Sequence, residues 1–292
     1  MSLSDLHNPF CLEPVRTPEQ FFGREKETRR VLGFLQRGQS VSVQGPAKMG
    51  KTSFLFHVAH PQVREQFGLA QEQLFVYLDC HLLAGRDQGQ CYSSILEETL
   101  RQVKDTESVD KTIGIKLEKV VREAEMQTYL GLQTLFRTAQ ARGLKLVMIL
   151  DDFEFLANNR YLDAGFFSAL RSLPTAFEMA YLVASRSSLD KLERITSGSP
   201  FFNIVASMNL MPLSREASLE LVVTLLHQAD IEFPQFAVDC ILELGNNEPY
   251  RLQKAGHIAF QVWQDNKRSW QEQHCEKVKR RFAQDEHYAK QP

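Results

Sequence analysis

Cysteine is scarce and scattered in this chain of 292 residues. Cys11, Cys80, Cys91, Cys240 and Cys275 form no CxxC pair and no Cys/His cluster. An odd, dispersed set of thiols excludes a disulfide framework and a structural zinc site, and it suits a reducing compartment. An excess of one charge is missing as well: 34 Lys and Arg stand against 36 Asp and Glu, a formal net charge of −2. That balance removes any global electrostatic grip on nucleic acid or acidic lipid and leaves only local patches to supply one. No apolar run approaches the roughly 20 residues needed to cross a bilayer. The opening MSLSDLHNPF has neither the basic start nor the apolar core of a secretion signal. Repeats and low-complexity tracts are lacking too, and the eight histidines show no metal-ligand spacing. The expectation is a cytoplasmic protein with no membrane partner. Its composition, 43% hydrophobic and 24% charged, is that of an ordinary globular chain with room for one large or two modest domains.

What is present is an ordered change of texture along the chain. Pro9, Pro14 and Pro18 each fix φ and push the preceding residue toward extended structure, so residues 1–22 read as an arm. Helical spacing starts after Gly23 with Val31, Leu32 and Leu35 and stops at Gly38. Strands are then expected at 40–44, 74–79, 144–150, 180–185 and 204–208. Helices are expected at 51–60, 91–103, 126–142 and 166–173, and the polar stretch 104–116 reads as a surface excursion. The nearly apolar run Leu144-Lys145-Leu146-Val147-Met148-Ile149-Leu150 suits a strand buried on both faces. Strands alternating with helices predict a three-layer α/β/α domain around a parallel sheet. After Met211-Pro212-Leu213 every segment reads as helix (216–227, 236–244, 250–263 and 272–282), and Ser214 is the N-cap of the first. The expected organisation is an arm over 1–22, an α/β domain over 23–211 and a helical subdomain over 212–292.

The loop after the first strand carries the sharpest signal. Gly45-Pro46-Ala47-Lys48-Met49-Gly50-Lys51-Thr52, followed by Ser53, matches G-x-x-x-x-G-K-[ST] in full. Its glycines let backbone N–H groups turn inward around phosphate oxygens, and the helix that follows adds the positive end of its dipole. Lys51 would neutralise the β- and γ-phosphates of ATP, and the Thr52 hydroxyl would ligate Mg²⁺. A chance match in a chain of this length is expected roughly one time in a hundred from average residue frequencies. The strand 144–150 then delivers Asp151, Asp152 and Glu154 at its C-terminal end, the edge where parallel sheets bind ligands. Asp151 is placed to hold Mg²⁺, directly or through water, and Asp152 to polarise an attacking water. Glu154 either assists or faces solvent. Arg186 follows the fourth strand at the same edge and could reach a γ-phosphate. Its neighbour Ser185 could bond that oxygen or the water.

These residues resemble the STAND NTPases, relatives of the AAA+ and origin-recognition ATPases, over about residues 8–282. The resemblance begins with Asn8-Pro9-Phe10 and Phe22-Gly23-Arg24-Glu25, which are similar to the arm and hGRxxE segment that flank the adenine in that family. It continues through GPAKMGKT, LVMILDDFE and the arginine-ended Ala184-Ser185-Arg186. Gly245-Asn246-Asn247-Glu248-Pro249-Tyr250 is similar to the family's GxP motif, whose proline packs near the nucleotide from the lid, and Ser199–Asn203 and Met211-Pro212-Leu213-Ser214 resemble the link into that lid. The resemblance implies a P-loop NTPase sheet followed by a helical lid, with ATP or ADP and Mg²⁺ bound between the two. It implies nucleotide contacts for Phe22, Gly23, Arg24 and Pro249. The function expected is an ATPase switch that controls homo-oligomerisation or a protein signalling partner. A DNA-associated ATPase and a pseudo-ATPase adaptor are the alternatives. Many AAA+ relatives have Glu where Asp152 stands, and the shorter side chain implies slow turnover. Arg251 reads either as a phosphate contact from the lid or as a solvated helix arginine, and the basic run 277–281 as a solvated face or a DNA contact.

Overall fold

The computed structural model describes residues 7–69, 73–105, 119, 128–193 and 205–288. The chain falls into two compact units. One consists of Lys26–Pro46 and Val58–Leu210, the other of Met1–Glu25, Ala47–His57 and Met211–Pro292.

The first unit is built on five strands: β1 (Ser40–Gln44), β2 (Gln73–Asp79), β3 (Lys145–Asp151), β4 (Met179–Ser185) and β5 (Val205–Asn209). They lie in the order β2-β3-β4-β1-β5, and every neighbouring pair is parallel. Each strand stands within a residue or so of its expected place, although Ile204 lies outside the described residues. The three inner strands, β3, β4 and β1, are buried almost throughout; β3 and β4 accordingly run apolar without alternation, whereas β1 alternates serine with valine. The polar residues of β1 are satisfied inside the sheet: Tyr181 N–H donates to Ser40 Oγ at 3.0 Å, and Gln44 Nε2 donates to Ser42 Oγ and Ser207 Oγ at 3.3 Å each.

Up to Leu210 the helices are α1 (Glu25–Gln36), α2 (Lys51–Ala59), most of which belongs to the other unit, α3 (Pro61–Gln66), α4 (Gln88–Asp105), α5 (Tyr129–Gln140), α6 (Glu154–Ala157), α7 (Ala164–Ala176) and α8 (Leu189–Glu193). Phe136, Phe153, Phe166, Phe167 and Tyr181 are buried in the core, and the Tyr181 hydroxyl donates to Leu170 O at 2.9 Å. The short helices α3, α6 and α8 have too few apolar residues to show a period, and no expectation covered them. Pro61 stops α2 at Ala59 and opens α3 at its first position. Lys104 and Asp105, expected in the polar excursion, belong to α4; residues 106–116, like 126–127 and the Ser199–Asn203 link, lie outside the described residues.

The second unit is helical: α9 (Arg215–Gln228), α10 (Gln235–Gly245), α11 (Pro249–Asp265) and α12 (Glu272–Tyr288). Their apolar faces meet in a core that includes Leu221, Ile241, Leu252, Phe260 and Phe282. Ser214 caps α9 as expected, its Oγ accepting from Ala217 N–H at 3.1 Å. Asn246 and Asn247 end α10 with φ of 47° and 60°, a conformation asparagine tolerates better than most residues, and Pro249 then opens α11. The arm is seated on α11. Phe10 is 2% exposed, and a Cβ on Gly256 would stand 2.3 Å from its ring, so the helix needs glycine there. Asn8 Nδ2 donates to His257 O at 3.1 Å, and Cys11 N–H donates to Gln253 Oε1 at 3.0 Å. One 3-10 turn, Pro18–Gln20, interrupts the extended arm. Among the described residues no helix is long and apolar enough to cross a membrane.

Candidate functional site

The loop that leaves β1 is held at its root, where Gly45 N–H donates to Ser185 O at 3.2 Å. Pro46, Ala47 and Lys48 are exposed, and Met49 is buried. Lys48 and Gly50 both take positive φ, 66° and 84°, so the loop coils back on itself before α2 begins at Lys51. Gly50 is the position where glycine is required, because any Cβ would strain that backbone. The first N–H groups of α2 have no acceptor within the helix, and its dipole adds partial positive charge at the same end. Lys51, at that end, is only 6% exposed, an unusual burial for a lysine. Backbone donors, a buried ammonium and the Thr52 hydroxyl form the donor set that a triphosphate with its cation requires, so the residues present fit that group.

Several other sequence-derived residues gather in the same unit. The arm runs along α2: Val15 N–H donates to Ser53 Oγ at 3.0 Å, the Arg16 guanidinium lies 4.1 Å from the Phe56 ring centre, and Phe21 stacks on His57 at 4.1 Å. From α11, Pro249 Cγ stands 3.7 Å from where a Cβ on Gly50 would be, and the Tyr250 ring receives Lys48 Nζ at 4.3 Å. Phe22 packs on the helical core, a Cβ on Gly23 would stand 2.3 Å from Ala217 Cβ, and Arg24, 5% exposed, donates to Met211 O at 2.6 Å. The resemblance gave those three residues nucleotide contacts; the contacts seen here join the arm to the start of α9. Arg251 donates from Nε and Nη2 to Leu244 O at 3.2 and 3.1 Å, satisfying a carbonyl near the end of α10.

The acids collect at the C-terminal ends of β2 and β3. Asp79 and Asp151 are register partners. Asp151 is 3% exposed; its Oδ2 accepts from the Tyr77 hydroxyl at 2.8 Å and its Oδ1 from Asp152 N–H at 3.0 Å. Asp152 has φ 48°, a left-handed conformation uncommon outside glycine and frequent where backbone strain serves a site. Buried Cys80 registers the field of this edge. Burial, followed by the charges of Asp151, Asp79, Asp152 and Glu154, pushes its thiol well above the ordinary range. Acids at the ends of two neighbouring strands are oxygen ligands of the kind a divalent cation takes. Among the described residues no three acids, histidines or cysteines converge as a complete metal site. Mg²⁺ needs none, because it is commonly held by one or two protein groups together with phosphate oxygens and water.

Two side chains at this edge have partners that the sequence did not indicate. Arg186 Nε pairs with Glu154 Oε1 at 3.0 Å, and Arg186 N–H donates to Glu154 Oε2 at 3.4 Å. Glu154 therefore neither faces solvent nor stands free, since its side chain is 15% exposed and engaged. The Ser185 hydroxyl donates to Ser187 O at 2.7 Å within its own turn. Sequence reasoning missed Tyr77 altogether, because a tyrosine in a strand reads as packing.

The model of a family described as Novel STAND NTPase 2 matches residues 36–283. Several solved structures share the fold. The Walker-type ATPase of Pyrococcus abyssi is 19% identical with a TM-score of 0.61, over 87% of this chain and 71% of that one. The ADP form of the ORC2 protein of Aeropyrum pernix is 14% identical with a TM-score of 0.65, over 91% and 70%. Domain III of the Thermotoga maritima replication initiation protein DnaA is 16% identical with a TM-score of 0.55, over 93% and 98%. Among curated proteins none matches this sequence.

Proposed function

The chain belongs to the novel STAND NTPase 2 family, and from that footing we propose that it is an ATP-binding, slowly ATP-hydrolysing switch whose nucleotide state controls self-assembly or a signalling partner. The observation that carries the reading is the complete phosphate-binding loop, with positive φ at Gly50 and Lys51 buried at the start of α2. In this reading residues 23–211 form the nucleotide domain, 212–292 the lid and 1–22 an arm. Gly45–Ser53 cradle the phosphates, and Lys51 neutralises charge at the β- and γ-positions. Phe22, Gly23, Arg24 and Pro249 shape the surroundings of the base and sugar. Thr52 and Asp151 hold Mg²⁺, which supplies charge neutralisation on the phosphates. Asp152 accepts a proton from the attacking water, and Arg186 and Ser185 sense the γ-phosphate.

The likeness of fold to ORC2 and DnaA favours a second reading, a DNA-associated ATPase. Its electrostatic support is thin. Lys279 pairs with Glu243 at 3.3 Å, Arg281 pairs with Asp265 at 2.8 Å, and Lys277 donates to Asn266 at 3.1 Å, so much of the basic run on α12 is engaged within its own unit. Calorimetry on the full chain tests the shared premise. Lys51→Ala should weaken ATP binding at least about tenfold, because it removes the charge facing the β- and γ-phosphates. Wild-type affinity in that variant would move the nucleotide to another part of the protein.

A further inference from the structure

The carboxylate assigned to the metal is held by a residue that no motif singles out. Tyr77 sits on β2, two residues before Asp79, and its hydroxyl donates to Asp151 Oδ2 on the neighbouring strand at 2.8 Å. Asp152 N–H occupies Oδ1 at 3.0 Å. With a donor on each oxygen and 3% exposure, the Asp151 carboxylate is oriented by protein groups.

Tyr77 is itself braced. β2 is an edge strand, and such a strand presents unpaired backbone groups. At Tyr77 the side chain of Gln102 from α4 fills that place. Tyr77 N–H donates to Gln102 Oε1 at 3.0 Å, and Gln102 Nε2 donates to Tyr77 O at 3.1 Å. One amide thus reproduces the pair of bonds that an adjoining strand would make at this residue. Gln102 Nε2 also meets Glu98, which is paired in turn with Arg101. A chain of polar contacts therefore runs from the exposed face of α4 through the sheet edge to Asp151. The brace fixes the backbone at this position, and the hydroxyl then meets a buried carboxylate, an acceptor that a tyrosine serving only as packing would not need.

From this arrangement we propose that Tyr77 is a positioning residue for the metal-holding carboxylate of Asp151, fixed in place by Gln102. The inference rests on the reading that Asp151 holds Mg²⁺ beside the nucleotide. Removing the hydrogen-bond partner of a ligating group typically costs 10–100-fold in metal affinity. Tyr77→Phe deletes one hydroxyl and keeps the ring, so the effect should fall on the metal and spare the nucleotide.

The experiment titrates Mg²⁺ against binding of a fluorescent ATP analogue to the full chain, with a parallel measurement in excess EDTA. Tyr77→Phe should raise the Mg²⁺ midpoint about tenfold, with EDTA affinity and melting temperature equal to wild type. Gln102→Ala should shift the midpoint the same way by a smaller factor, and it carries the test alone if the tyrosine variant does not fold. An unchanged or lowered midpoint, in a background where wild type responds to Mg²⁺, overturns the proposal. An equal loss of affinity in EDTA also overturns it, since that marks damage beyond the metal. Wild type that binds no nucleotide, or binds it without regard to Mg²⁺, overturns the underlying reading instead, and the inference falls with it.

Discussion

Asp151 and Asp152 are adjacent in sequence and have almost nothing else in common. Asp151 ends a buried strand with both carboxylate oxygens engaged, whereas Asp152 follows with a left-handed φ of 48° and gives its N–H to Asp151 Oδ1. If the first serves the metal and the second the water, their amide variants should fail differently. Asp152→Asn suits the same backbone, because asparagine is among the few residues that take positive φ readily. It should therefore keep ATP affinity and lose turnover by 10²-fold or more, the usual worth of a positioned general base. Asp151→Asn should also weaken Mg²⁺-dependent binding, because an amide oxygen carries no charge to meet the cation. Phosphate release and analogue binding, measured on both variants, decide the matter. Undiminished turnover in the Asp152 variant would take it out of the chemistry. The carboxylates themselves were legible in the sequence, since an apolar strand ending in consecutive acids is a dense local pattern. Their partners were not. Tyr77 reaches Asp151 across 74 residues and Glu154 reaches Arg186 across 32, through strand register and sheet order that no local window contains.

Among the elements, strands and long helices followed from the sequence because each had enough residues to reveal a period or an unbroken apolar run. The arm is the instructive case. Three prolines announced extended chain, yet where it would lie depended on Phe10 meeting Gly256 and on Asn8 and Cys11 meeting α11, contacts some 240 residues apart. Phe10 is the anchor of that attachment, and removing a buried phenylalanine ring costs about 3–5 kcal/mol where the cavity cannot collapse. An arm can instead peel away, which caps the loss at whatever its attachment is worth. Phe10→Ala should accordingly lower the melting temperature by several degrees and expose residues 7–16 to limited proteolysis. Leu12, 41% exposed, is the control, and truncating it should change stability by less than about 0.5 kcal/mol. If the Phe10 variant melts like wild type and resists the protease equally, the arm is held by its polar contacts alone.

For the molecule as a whole, the question is what the nucleotide energy drives. A two-state protein swings from 1:99 to 99:1 only if a ligand prefers one state by about 10⁴-fold, or roughly 5.5 kcal/mol. ATP and ADP differ only in the γ-phosphate and its cation contacts, so that preference must come from residues that detect the third phosphate. Arg186 is suited to this task. Its pair with Glu154 is half exposed on the arginine side, and such pairs contribute about 1 kcal/mol or less, so a phosphate dianion could displace the carboxylate at little cost. Arg186→Ala should then bind nucleotide nearly as wild type does, because the phosphate loop supplies most of that energy, and yet show no difference between ADP and a slowly hydrolysed ATP analogue. Size-exclusion chromatography with light scattering reads this directly: the wild-type chain should change mass with the analogue and remain small with ADP, without nucleic acid. A DNA-associated ATPase would behave otherwise, assembling only on added duplex and losing affinity steeply with salt as counterions are released. With a net charge of −2 and much of the basic run on α12 already paired, few phosphate contacts are at hand to sustain that behaviour. Assembly that requires duplex and ignores the nucleotide would reverse this ordering and move the search for partners from signalling proteins to DNA.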